Sequence, residues 1–198
     1  MAKPTGKTDK MERVASATLQ LILEQGLSEL TFSKLSRKAG VSRPWLYEYI
    51  GATKESLVEY AVDHFGKQYA RLDNRPRASS AKEWLPQVLL RTDELLDDSL
   101  AYPWVIPLYY RYRGTVNPLG KRIKLLEERY LKSMTEEIKQ ALQVRNETAR
   151  VLAETLMAVR LGLAYHWVFS DFRKHSRKED LLAIVHSVLK RMLSRPRP

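Results

Sequence analysis

Apolar residues recur along this chain at intervals of three and four, and no stretch sustains the alternation of a half-buried strand, so the pattern predicts helices throughout. Nine are expected, over about residues 9–25, 32–38, 43–50, 54–72, 80–99, 103–112, 118–143, 146–171 and 178–194, which makes the fold all-α. The clearest break is Asn74-Arg75-Pro76-Arg77-Ala78-Ser79-Ser80, dense in turn formers. Ser80, with Glu83 three residues on, has the form of a capping box for the helix that follows. Pro103 and Pro107 disfavour helix at Tyr102 and Ile106, which predicts a short, kinked helix between them and Tyr112.

The segment from Thr31 to Leu57 is organised more tightly than the rest. Thr31 can cap a helix whose inward face is Phe32, Leu35 and Ala39, and Gly40 follows where a left-handed backbone ends it. Val41 is an apolar wedge in the turn. Ser42 is placed to cap a second helix with Pro44 in its first turn, where a missing N–H costs nothing. Leu46 and Ile50, four apart, face the core and leave Arg43, Trp45, Tyr47 and Tyr49 on other faces. Two short helices joined in this way form a helix-turn-helix, a unit that reads duplex DNA.

Thr31, Leu35, Ala39-Gly40-Val41-Ser42, Leu46-Tyr47, Tyr49, Lys54-Glu55 and Leu57, with Val14, Ala17, Leu21, Ile22 and Gly26 upstream, resemble the DNA-binding domain of the tetracycline-repressor (TetR) family of bacterial transcription regulators. The resemblance covers roughly residues 10 to 58; further on only length and helix pattern match. Three features depart from it: Pro44 and Trp45 replace small residues, Ile50 replaces a phenylalanine, and Gly51-Ala52-Thr53 is one residue longer than usual. The resemblance implies a DNA-binding domain at residues 1–58 and a helical regulatory and dimerisation domain at 59–198, with the helix from Lys54 shared. It also implies a homodimer, a small-molecule effector and, most often, repression.

Composition narrows the classes. With 44% hydrophobic and 29% charged residues the chain reads as an ordinary globular protein. No run of eighteen apolar residues and no apolar segment behind the basic amino terminus predicts a span or a secretory signal, so the cytoplasm is the expected location. The absence of cysteine excludes disulfides, thiolate metal sites and a cysteine nucleophile. The net charge of +11 suits a polyanionic partner, yet residues 1 to 55 hold nine basic and six acidic side chains, so most of the excess lies downstream, around 111–124, 173–178 and 190–197. Those patches are read as solvated surface first and as a second anion-binding surface after that.

Within the reader, Arg43 is the candidate for bidentate bonding to guanine, or else for a phosphate. Trp45 is a candidate for contact with a thymine methyl or for covering the turn. Tyr47 and Tyr49, by resemblance, match positions that bond phosphates, with burial as the alternative for one of them. Lys54, at the positive end of its helix, is placed for a phosphate. Thr31, Ser42 and Pro44 complete the expected DNA-facing set, the first two also serving as caps. One reader is too small to select a genomic site, so a palindromic operator bound by two copies is expected.

In the carboxyl-terminal two-thirds, two long apolar helices supply candidates for the dimer interface: Leu152, Leu156, Val159, Leu163 and Trp167 on one, Leu181, Val185, Val188, Leu189 and Met192 on the other. Completing the monomer core is the alternative use of these faces. Aromatics concentrate here, and Trp104, Tyr109, Tyr110, Tyr165 and His166 are candidates for lining an effector pocket. An effector that prefers one dimer geometry is expected to release the protein from DNA.

Enzyme chemistry finds no support. The stretch from Gly114 to Lys121 imitates a phosphate loop but has five residues between its glycines and Arg122 where a magnesium-binding hydroxyl belongs. His64, His166, His175 and His186 lack paired spacing, and Asp97-Asp98 and Glu127-Glu128 diverge around a helix, so neither a metal nor a cofactor is expected. The competing class is a helical adaptor without specific DNA binding.

Overall fold

The structure, a computed structural model, describes residues 6–70 and 78–194, the side chains of 67–70 and 192–194 excepted. Residues 74–77 of the expected linker and the Met192 side chain lie outside the described residues. Ten α-helices occur among them, and no strand: α1 Lys7–Gln25, α2 Phe32–Ala39, α3 Arg43–Tyr49, α4 Lys54–Ala70, α5 Ala81–Ala101, α6 Val105–Tyr112, α7 Pro118–Leu142, α8 Asn146–Phe169, α9 Phe172–His175 and α10 Lys178–Ser194. Among the described residues, the α-helix absent from the sequence reading is α9, and a single 3-10 turn at Leu27–Glu29 is absent from it as well. At four residues α9 is too short to carry a periodic signal.

Local chemistry sets the boundaries. The Ser80 hydroxyl accepts from the Glu83 N–H at 3.3 Å, as the capping box requires, but the Glu83 carboxylate accepts from the N–H and hydroxyl of Ser79 (2.9 and 2.8 Å) instead of from Ser80. Between α6 and α7 the stretch that imitates a phosphate loop is an ordinary helix junction. Thr115 donates to the Tyr112 carbonyl at 2.7 Å, and the Asn117 side chain caps α7 by accepting from the Gly120 N–H at 2.9 Å. A side chain at position 120 would place its Cβ 2.2 Å from the Thr115 carbonyl oxygen, so only glycine fits the closure.

The chain groups into two compact units that do not follow chain order. One spans Met1–Asp73 with Pro107–Glu127 and the other Asn74–Ile106 with Glu128–Pro198, each taken over its described residues. The expected division at 58/59 thus falls inside α4, all of whose described residues go with the first unit. In that unit α1 packs along α4 and against α2, burying Val14, Leu21 and Ile22 with Leu35, Leu57, Val58 and Phe65. The carbonyls that end α1 are capped from α6: Tyr112 donates to Ile22 at 3.3 Å and Arg111 to Leu23 at 2.8 Å. Arg122 of α7 forks onto Asp63 of α4.

The second unit packs α5 against α8 and α10. Its core holds Trp84 and Val88 of α5, Met134, Ile138 and Leu142 of α7, and Ala149, Ala153 and Leu156 of α8. Lys178, opening α10, binds Asp93 at 2.8 Å and Asp97 at 2.9 Å, one turn apart on α5. Burial pulls this ammonium's pKa down, but the two carboxylates together outweigh that and raise it.

Candidate nucleic-acid interface

Each turn of the reader is closed by a named side chain. The Thr31 hydroxyl accepts from the Lys34 N–H at 3.2 Å and so caps α2, which ends at Gly40 with φ +64 and ψ 41, the left-handed conformation glycine adopts without strain. The Ser36 hydroxyl donates to the Val41 carbonyl at 2.6 Å and ties the turn to α2. Ser42 then accepts from the Trp45 N–H at 3.3 Å to cap α3, with Pro44 in the first turn. Leu46, 0% exposed, is the buried anchor of α3. At the start of α4, Thr53 and Ser56 cap each other's backbone N–H groups at 3.0 and 3.3 Å.

Leu46 faces inward and the chemistry faces out. Thr31, Ser42, Arg43, Pro44, Tyr47, Tyr49 and Lys54 are exposed, and Trp45 is half-buried. The aromatic rings are held in place: Tyr47 packs on Phe32 at 4.7 Å and Trp45 on Tyr49 at 4.9 Å between centroids. The Lys7 ammonium sits 4.3 Å above the Tyr49 ring, a cation on a π face contributed by the first turn of α1. The neighbouring Glu48 carboxylate raises the Tyr49 phenol pKa above its ordinary value, through hydrogen bonding and then charge. Arg43 reaches only as far as the Ser33 hydroxyl, at 3.4 Å. Lys54 donates to the Ser28 carbonyl at 2.7 Å, closing the loop after α1. Lys34 and Lys38 pair with Glu29 and Glu24 at 2.6 and 2.8 Å.

A short helix with one apolar anchor, two hydroxyl caps and an outward row of one arginine and three aromatics is built to enter a groove. A family model described as bacterial regulatory proteins, tetR family, matches residues 14–61, the stretch that holds these caps. The chain carries a tetR-family DNA-binding domain over residues 14–61. It is a DNA-binding transcriptional regulator. A fatty acid metabolism regulator protein of Bacillus subtilis is 26% identical over 200 residues, covering 95% of this chain and 96% of that protein. The fold is shared with the fatty acid degradation regulator FadR from Bacillus halodurans, at a TM-score of 0.66 and 17% identity, over 98% of this chain and 99% of that one. It is shared as well with a TetR transcriptional regulator from Streptomyces coelicolor, at 0.62 and 21%, over 94% and 99%.

The remaining candidates divide between interior and surface, as the two uses weighed for these helix faces require. Leu156, Trp167 and Leu181, expected at a dimer face, are 6%, 6% and 5% exposed and belong to the interior of the second unit. Leu152, Leu163, Val185 and Leu189 are half-buried, and Val159 and Val188 are exposed. The five expected pocket residues divide between the two units. Tyr109 and Tyr110 belong to the first unit, where Tyr109 donates to Glu127 at 3.1 Å, and burial followed by Glu127 raises its pKa. Trp104, Tyr165 and His166 belong to the second unit, and Tyr165 and His166 are exposed on α8.

The apolar spacing said which helix faces are covered, not what covers them. It also passed over two charged groups buried inside the second unit, Arg160 and Glu137. The interruption of an apolar stripe by Arg160 was the available signal. No described helix is long and apolar enough to cross a membrane.

Proposed function

We propose that the protein is a cytoplasmic homodimeric repressor that binds a palindromic operator and leaves it when a small-molecule effector occupies the second unit. The observation that carries the dimer is an outward apolar face with no cover in the monomer. On α8, Val151, Tyr165 and Phe169 are 61%, 42% and 50% exposed, on the side away from the buried Ala149, Ala153 and Leu156, and Val159, 47% exposed, lies at its edge. On α10, Ile184 and Val188 are 62% and 53% exposed. Isolated exposed apolar residues are ordinary, whereas a row of them on consecutive long helices marks an interface. Gly162 lies on this side of α8, and a Cβ there would meet nothing, so a second helix has room to approach.

On DNA, the outward row divides by chemistry. Arg43 takes base edges in the major groove, and Trp45 and Pro44 lie against sugar or thymine methyls. Thr31, Ser42, Tyr47, Tyr49 and Lys54 hold phosphates and set the register. The protein acts by binding, not by catalysis. The names of the Bacillus relatives favour genes of fatty acid metabolism as targets and a lipid-derived effector. Sedimentation equilibrium tests the dimer: wild type should sediment at twice the monomer mass, and the Ile184→Asp/Val188→Asp variant as a folded monomer with weakened operator binding. A wild-type monomer that still binds a palindrome tightly would overturn the reading.

A further inference from the structure

α8 buries Ala149, Ala153, Leu156, Arg160, Ala164 and Trp167, so Arg160 occupies a core position in a stripe that is otherwise apolar. Its residue is 5% exposed. One guanidinium nitrogen donates to the Tyr130 hydroxyl at 2.8 Å and another to the Arg91 carbonyl at 2.6 Å, so both acceptors are neutral. The third, Nε, is sealed from solvent and has no partner. The carboxylate of this network is committed elsewhere: Glu137 pairs with Arg91 at 2.8 Å, and Arg160 forms no ion pair among the described residues. The four hydrogen-bonded side chains Arg91, Glu137, Tyr130 and Arg160 carry a net charge of +1, and Glu94 Oε2, on α5 one turn from Arg91, is a further oxygen sealed in this unit. Trp84 Nε1 is a further sealed donor without a partner, and Glu137 Oε1 a sealed acceptor.

A buried cation without a counter-charge is strongly unfavourable, and an unmade bond on a sealed donor adds to the cost. A fold keeps such a group where a ligand completes it. We propose that Arg160 is the receptor for the anionic head of the effector, and that the effector is a carboxylate on an apolar tail. The two oxygens of a carboxylate match Nε and a neighbouring guanidinium nitrogen. Tyr130, which Arg160 bonds, packs against the apolar core that holds Trp84, Val88, Met134, Ile138 and Leu156, where an apolar tail would run. The inference rests on the reading that the second unit takes an effector.

The test titrates the full-length protein with straight-chain carboxylates of increasing length and with their methyl esters, which keep the tail and remove the charge. Intrinsic tryptophan fluorescence and calorimetry are the readouts, since Trp84 and Trp167 are both buried in this unit. At least one carboxylate should bind wild type about tenfold or more tighter than its ester, the order expected of a charge-assisted bond. Arg160→Gln should bind acid and ester alike, and Arg160→Lys should keep part of the preference. In case Arg160→Gln does not fold, wild type alone gives a second reading: the acid raises Tm at concentrations where the ester does not. Equal binding of acid and ester, a preference that survives Arg160→Gln, or no binding of any carboxylate overturns the proposal. Operator anisotropy separates it from the wider reading: a carboxylate that binds through Arg160 without releasing DNA leaves the head site standing and removes its role as effector site.

Discussion

Leu46→Ala isolates what holds the recognition helix in place. α3 has seven residues, too few to be stable unsupported, and Leu46, at 0% exposure, is its buried side chain. Truncation removes three carbons from a closed site, which costs about 2–5 kcal/mol through lost transfer energy and the cavity left behind. Because α3 has little other apolar burial, most of that loss falls on local ordering of the helix. An apparent Kd scales inversely with the fraction of molecules in the binding-competent state, and each 1.4 kcal/mol or so beyond the helix's local stability weakens binding about tenfold. Urea denaturation followed by circular dichroism measures the global loss, hydrogen exchange at the α3 amides the local one, and anisotropy on a selected duplex the affinity. Leu46→Ala should lower protection in α3 more than in α1 and α4 and weaken DNA binding by at least about tenfold. A global loss below about 1 kcal/mol with unchanged affinity would refute the assignment of Leu46 as anchor.

Other outcomes follow from the same geometry. Lys54→Ala should weaken binding to all duplexes alike and reduce the salt slope by about one unit, whereas Arg43→Ala should relax preference at one base position; an equal loss on every base variant for Arg43 would remove its readout role. Gly120→Ala drives a Cβ to 2.2 Å from one backbone oxygen and 2.8 Å from another, so it should cost about 1–3 kcal/mol, read from the urea midpoint. Arg113 forks onto Glu127 at 2.6 and 3.0 Å and holds that carboxyl's pKa down, against the opposing effect of burial. A folded-state pKa below the unfolded one gives stability that is present above the unfolded value and lost as pH falls through the folded one. Arg113→Gln should therefore lower Tm at neutral pH, by the equivalent of about 1 kcal/mol or less given the exposure of the arginine, and the gap should close in acid; a gap that persists at low pH would show that packing, not charge, accounts for it.

What the sequence displayed depended on how local its cause was. Thr31, Gly40, Ser42 and Pro44 act within one turn of themselves, so the reader and its caps could be placed residue by residue. The helix pattern elsewhere gave element existence for the same reason. Leu156, Trp167 and Leu181 share the apolar character of Val159 and Val188, and only the fold separates interior from surface. The division into units was invisible because Arg111, Tyr112 and Arg122 reach α1 and α4 across a long stretch of chain. Arg160 was legible in principle, as a charge at a core position of α8, but a stripe with one charged member reads at first as a less perfect helix face.

The central claim, a sequence-selective DNA-binding regulator, is tested most directly by selecting random duplex DNA on the purified protein and titrating the enriched site by anisotropy at several salt concentrations. A palindromic site should emerge, bound by two chains, with affinity falling steeply as salt rises. Weak, salt-sensitive binding to every duplex with no enriched sequence would contradict it.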